Sequence, residues 1–361
     1  MSSEQQTGPK RSRITMWVVL SLLSIMIIGA GSVALYIWSS LQPTKAGDEI
    51  RIDIPRGTSA NQVAEILEQQ GIIKNAFIFK YYLSLSDQGS RFQAGLYMLS
   101  PGMENDAIIA KLNAGETVPA ETIRFTIPEG FTVLQIADKL AAENLIDKQK
   151  FIDLVAMQTT WGDAEAARSI PDNADLHQRL EGYLFPETYE MKSGSTEEDI
   201  IKRMLSELDR KLTQLPEGWQ DELEKKGMSM HELLTIASLV EREVVVDEER
   251  ALVAGVIHNR IADGMMLQID ATVQYSLDKP KERLFEKDLQ VDSPYNTYKV
   301  DGLPPGPIAS PSLASIEAAL YPEDTEYLFY VTKKDGTQTH LFAKTYQEHL
   351  RNIEKSNQTA E

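Results

Sequence analysis

The sequence predicts an α+β protein in which a single N-terminal transmembrane helix is followed by repeated small βα units and then by a mixed α/β domain. Three observations predict it: an uncharged apolar run near the N-terminus, a gapless internal repeat, and a C-terminal part where helical periodicity gives way to short strands and Pro/Gly-rich loops. The chain has 361 residues, enough for two or three domains, and its 42% hydrophobic and 25% charged content is that of a globular protein. A net charge of −18 with no block of Lys and Arg excludes nucleic acid as a partner, because neutralising phosphates needs clustered cations. The lack of cysteine removes disulfides, thiol nucleophiles and Cys-ligated metals together.

Residues 14–38, ITMWVVLSLLSIMIIGAGSVALYIW, lie in a stretch without charge between Arg13 and Lys45. This exceeds the ~20 residues a helix needs to cross a bilayer, and it is too long for the apolar part of a cleaved signal peptide. Trp17, Tyr36 and Trp38 sit near its ends, where amphipathic rings favour the interface. Lys10, Arg11 and Arg13 precede it, so residues 1–13 are expected in the cytoplasm, the helix in the cytoplasmic (inner) membrane, and the rest outside. Anionic headgroups repel an acidic domain, which would make it stand off the membrane; acidity that only keeps the domain soluble is the alternative reading.

IRIDIPRGTSANQVAEILEQQGII (50–73) aligns without a gap on IRFTIPEGFTVLQIADKLAAENLI (123–146), at a constant offset. Each copy reads as an alternating strand, a Pro-X-Gly turn and an amphipathic helix. The expected units are 46–119, membrane-proximal, and 120–195, packed on the domain that follows. Small strand–turn–helix units of this kind resemble carbohydrate-binding LysM modules; a structural spacer is the alternative.

Residues 196–355 form the expected third part, helical to about Gly264 with breaks near Pro216–Gly218 and Gly227. His231-Glu232 lacks the second histidine of a zincin helix, and no P-loop, dinucleotide fingerprint or nucleophile-elbow serine is present, so neither metal nor cofactor is expected. The acid–base candidate lies where a helix apolar almost all round, Leu233–Val240, runs into Glu241-Arg242-Glu243. Ser238, Ala237 and Leu234 share the face of Glu241, and such neighbours would desolvate its carboxyl and suit it to donate a proton. Glu243 points about 200° away on the same helix, so the two cannot face each other. The competing reading pairs Glu241 with Arg250 or Arg260 as a plain helix-end ion pair.

Downstream, SPYNTY followed by GLPPGPIASP combines flat rings, amide donors and stiff proline turns, as sugar-binding clefts do; a proline-stiffened connection with packed tyrosines is the alternative. Taken in order behind one N-terminal span, EGYLFPETY, ASLVERE, HNR, GMMLQIDATV, SPYNTY and GLPPGPIASP resemble the YceG-like family of endolytic murein transglycosylases, from the span to His349. The resemblance implies a membrane-anchored enzyme that cuts nascent peptidoglycan strands internally, with peptidoglycan synthases as possible partners. It also implies Glu241, first acid of the V-E-x-E string, as the catalytic glutamate. Gln268, Asp270, Tyr295, Asn296, Thr297 and Tyr298 fall on the family's cleft strings. In that scheme Asn296 and Gln268 hold the N-acetyl group or steady positive charge, and Tyr295 and Tyr298 stack on sugars. The sequence departs from the family at Ile269 and Ala271, and at Ser310 and Ser312 where Asn-Pro-Gly is usual. A hydrolase using Asp270 or Glu187 as second carboxyl, and a non-catalytic murein-binding scaffold, are the rival functions.

Overall fold

The computed structural model describes residues 10–86, 91–119, 121–157, 160–277, 279 and 281–359, with side chains from residue 16 onward. The expected cytoplasmic tail to residue 9, and the side chains of Lys10, Arg11 and Arg13, lie outside the described residues. The chain divides into two compact units, Met1–Glu121 and Thr122–Glu361.

In the first unit, helix α1 (Lys10–Leu41) contains an apolar stretch from Met16 to Leu41, long enough to cross a bilayer, whose side chains are almost all exposed. Strand β1 (Ile50–Ile54), helices α2 (Ala60–Gln69) and α3 (Ala76–Ser86), strand β2 (Gly95–Leu99) and helix α4 (Asn105–Ala114) follow. β1 and β2 pair antiparallel with Ile50 opposite Leu99. Their inward residues Ile52, Ile54, Tyr97 and Leu99 meet Val63, Leu67, Phe79, Leu83, Ile108 and Leu112 in one core.

The second unit starts with the other copy: strand β3 (Thr122–Thr126), helices α5 (Val133–Ala142) and α6 (Lys148–Met157), and strand β4 (Thr188–Lys192), which pairs antiparallel with β3. The repeat persists at the level of single hydrogen bonds. Ser59 and Gln62 form a capping box at the start of α2, and Thr132 and Gln135, at the equivalent positions, form one on α5. Each repeated string holds one helix, α2 or α5, as its pattern predicts, and a second helix, α3 or α6, follows before the closing strand, so both units contain strand, helix, helix, strand in order.

Helices α7 (Glu197–Leu212), α8 (Trp219–Lys225), α9 (Met230–Glu243), α10 (Arg250–Ala262), α11 (Asp270–Ser276) and α12 (Leu313–Leu320) follow, then the antiparallel pair β5 (Phe329–Thr332) and β6 (His340–Ala343), and helix α13 (Tyr346–Gln358). Two corrections arise here. The helical pattern expected to continue from Gly227 to about Gly264 has a further break at Val244 (φ −115°, ψ 129°), where three consecutive valines disfavour helix and the chain turns extended, leaving Glu241 near a helix end as the sequence placed it. The part expected to be strand and loop also contains α11, α12 and α13. Buried residues from Phe125 and Tyr189 to Leu234, Val253, Ile316 and Leu320 form one continuous core, so the second βααβ unit and the C-terminal elements share their interior.

Candidate active site

Helix α9 is the frame of the site. A capping box of Ser229 and Glu232 starts it, and every residue from Leu233 to Val240 is buried. The valine break ends it immediately after Glu241-Arg242-Glu243, so three charged side chains leave the core in three directions at one helix terminus.

Glu241 turns towards α12. Its Oε2 accepts hydrogen bonds from Ser312 N (3.0 Å), Ser312 Oγ (2.6 Å), Ser315 Oγ (2.8 Å) and Arg250 Nη1 (3.3 Å). Ser312 is the N-cap of α12, and Arg250 Nη1 also donates to Ser315 Oγ at 2.6 Å. The side chain of Glu241 is 7% exposed. The apolar neighbours expected around this carboxyl are therefore replaced by two hydroxyls, a backbone N–H and a guanidinium. Its oxygen ties the end of α9 to the start of α12, and the ion pair with Arg250 is the plainer of the two readings open from the sequence. Ser312, a departure from the family string, supplies two of the four donors.

Arg242 turns towards the second repeat's Pro-Glu-Gly turn, donating from Nη1 to Gly130 O at 3.1 Å. Gly130 has φ +71°, and a Cβ there would lie 3.6 Å from Arg242 Nη1 and 3.9 Å from Glu241 Cγ. The turn thus passes directly over α9's end.

Glu243 turns the third way, into a cluster built from the C-terminal elements. Its Oε2 accepts from the Tyr330 hydroxyl at 2.9 Å. Burial raises the pKa of its carboxyl, the negative charge of Asp270 raises it further, and the Tyr330 hydrogen bond with His340 and Arg242 only partly opposes this. Tyr298 donates its hydroxyl to Asp270 Oδ1 at 2.7 Å. Arg260 at the end of α10 donates to Leu267 O (2.6 Å) and Leu328 O (2.6 Å), fixing the segment before Gln268 and the start of β5. Gln268 is exposed in the left-handed region at φ +51°, held by its N–H to Thr297 O at 3.0 Å. A non-glycine residue in that conformation beside a carboxylate cluster is the kind of backbone strain that accompanies function.

The sequence-derived set therefore divides. Asp270 and Tyr298 lie near Glu243 rather than on Glu241, and Gln268 lies two residues before Asp270 in the chain. Asn296, expected to hold an N-acetyl group, is fully buried; its amide donates to Leu289 O and Val291 O, and its Oδ1 accepts from Tyr298 N. Thr297 is equally buried, its hydroxyl shared with Ile269 N and Thr272 Oγ1. Tyr295, expected as a stacking platform, is a core residue whose ring packs between His177 and Tyr275. These three residues shape the loop that presents Tyr298 and Gln268. Glu187 is engaged by Lys211 at 2.7 Å and is no partner of Glu243. The proline loop is likewise packed. His231 Nε2 pairs with Pro305 O, Ile308 N donates to Ser238 Oγ, and a Cβ on Gly306 would meet Leu176 at 2.8 Å. Sequence reasoning missed Tyr330, and it offered Arg260 as a partner of Glu241 where the structure turns it to the carbonyls of Leu267 and Leu328. Arg260 stood in the string HNR, but no local pattern announces a tyrosine that arrives from a strand 87 residues after the glutamate it serves.

The YceG-like family matches residues 52–355. The chain is 39% identical over 335 residues to an endolytic murein transglycosylase of Bacillus subtilis, covering 90% of each chain. It is 32% identical to an endolytic murein transglycosylase of Streptococcus pneumoniae over 95% of this chain and 65% of that protein's length. The crystal structure of a yceG-like protein from Listeria monocytogenes superposes with a TM-score of 0.57 at 37% identity, over 84% of this chain and 98% of that one. The chain belongs to the YceG-like family.

Proposed function

We propose that this protein is a membrane-anchored endolytic transglycosylase of peptidoglycan. It cuts the MurNAc–GlcNAc linkages of nascent glycan strands, leaves 1,6-anhydroMurNAc ends and so limits strand elongation. The observation that carries the reading is the similarity along 90% of the chain to an endolytic murein transglycosylase, together with Glu243 at the end of α9, a carboxyl that accepts from Tyr330 near Asp270 and Tyr298 and whose pKa burial raises. General acids need a pKa shifted towards the working pH, and this is the environment that shifts one.

In the proposed mechanism Glu243 protonates the glycosidic oxygen as the C1–O4 bond breaks. Its carboxylate then takes the proton from the MurNAc C6 hydroxyl while that oxygen closes on C1, which restores the acid without water. Tyr330 orients the carboxyl, Asp270 steadies the positive charge that grows at C1, and exposed Gln268 and half-buried Tyr298 meet the sugar. Mass spectrometry of the fragments from purified murein tests this. Anhydro ends are expected; reducing MurNAc ends make Asp270 the second carboxyl of a hydrolase, and uncut strands make the protein a scaffold.

The βααβ order of both repeated units supports a LysM-like, glycan-binding role for them. The apolar Met16–Leu41 helix supports a single-pass anchor in the cytoplasmic membrane with the N-terminus inside. Protease added to spheroplasts is then expected to degrade everything beyond Lys45; full protection overturns that topology.

A further inference from the structure

Helix α3 is apolar on both sides. Ala76, Phe79 and Leu83 face the core of the first unit, while Phe77, Tyr81 and Leu85, four residues apart, form an outward stripe 62%, 59% and 88% exposed. Lys80 and Ser84 give α3 a narrow polar edge, but an exposed stripe of two rings and a leucine opposite the core face is the mark of a helix that something other than this unit covers. Its position says what. Lys74, just before α3, donates from Nζ to Ser39 O at 3.2 Å, Thr44 Oγ1 donates to Ile72 O at 3.3 Å, and α3 packs against the end of α1. The stripe therefore begins at the exit of the apolar helix, where Trp38 is 62% exposed.

The second repeat provides an internal control. In α6, Phe151 and Val155 are buried as Phe79 and Leu83 are in α3, which places Gln149, Asp153 and Met157 at the positions of Phe77, Tyr81 and Leu85. There Gln149 Nε2 donates to Asp153 Oδ1 at 2.9 Å, in the manner of a solvated helix face. The same supersecondary unit thus carries two polar side chains and exposed Met157 on its outer face in one copy, and two aromatic rings and a leucine in the copy joined to α1.

We propose that α3 lies in the outer interfacial layer of the bilayer that α1 spans, with Phe77, Tyr81 and Leu85 inserted at the boundary of headgroups and acyl chains. Aromatic and leucine side chains on a helix lying in the interface are the usual means of such attachment. The proposal rests on α1 being a membrane span. It holds the first unit against the membrane, in place of the stand-off expected from net charge.

The cysteine-free chain suits a spin-label test. Full-length protein carrying Phe77→Cys, Tyr81→Cys or Leu85→Cys is labelled in nanodiscs of phosphatidylcholine and phosphatidylglycerol, with Ile27→Cys as the in-membrane reference and Glu68→Cys, exposed on α2, as the aqueous one. The ratio of oxygen to nickel-chelate accessibility at the three α3 sites is expected to exceed that at Glu68 several-fold and approach that at Ile27. Values equal to Glu68 with Ile27 reading membrane overturn the proposal and leave the span intact. An aqueous reading at Ile27 overturns both, and labels at α3 shielded from both reagents assign the stripe to a protein partner instead.

Discussion

Glu243→Gln is expected to abolish strand cutting while folding and glycan binding survive. Glutamine keeps the side chain's shape and can still accept from Tyr330, but it has no proton to give. Groups acting as general acid and base contribute about 10²–10⁴-fold each, and here one residue serves as both. The loss should therefore be at or beyond the upper end of that range, in kcat rather than KM. The wild-type profile should also carry the sign of the site. Because burial raises the Glu243 pKa, the protonated acid persists above the ordinary carboxyl range, and kcat/KM should fall as pH rises through that raised value. Tyr330→Phe should move this descending limb to higher pH, since it removes the hydrogen bond that lowers the pKa. Glu241 gives the contrast. Glu241→Ala leaves Arg250, Ser312 and Ser315 without the oxygen they share, and breaking a buried pair in this way costs about 3–5 kcal/mol of stability. A Glu241→Gln protein that folds normally yet cuts nothing, beside an active Glu243→Gln protein, would return the acid to Glu241.

The sequence names Glu241 as the acid, and the proposed acid, Glu243, stands two residues on at the same helix end. The apolar run Leu233–Val240 identifies α9 as a core helix whose end holds the chemistry, and helical geometry separates Glu241 from Glu243. Which of the two faces the substrate depends on what each meets, and those partners come from α12 and β5, about 70 to 90 residues further along the chain. The valine break shows the same limit. Three β-branched residues are visible in sequence, but their consequence, that α10 folds back and places Arg250 on Glu241, is tertiary. The repeat was legible because its signals are local: a Pro-X-Gly turn and a capping residue three positions before a glutamine recur at a fixed offset. The tyrosines and amide of SPYNTY had the composition of a sugar site. Asn296 serves the loop's own hydrogen bonds and Tyr295 packs in the core, which leaves Tyr298 as the ring nearest the candidate site, a difference that composition does not record.

Glu181 is expected to make the second unit lose stability between acid and mildly alkaline pH. This glutamate lies in the EGYLF string and is fully buried, with its oxygens accepting from Val133 N at 3.0 and 3.3 Å and from the Tyr275 hydroxyl at 3.1 Å. Burial outweighs these donors and pushes its pKa from 4.5 to about 8. The folded protein therefore holds a proton that the unfolded chain releases above about pH 4.5. The stabilisation is fully present below that pH, declines as pH rises, and is gone once pH passes about 8. At about 1.4 kcal/mol per unit of pKa difference, the loss over this window amounts to several kcal/mol. Glutamine at this position is neutral throughout and still offers an oxygen to Val133 N–H. Urea unfolding followed by tryptophan emission, with Trp161 buried in the same core, should give a midpoint that falls from pH 5 to pH 8 in the wild type and falls distinctly less in Glu181→Gln. Other titrating groups are common to both proteins, so the difference between the two slopes isolates this carboxyl. Parallel slopes would mean that Glu181 is already ionised when folded, with the Val133 N–H at the start of α5 and the Tyr275 hydroxyl compensating its burial.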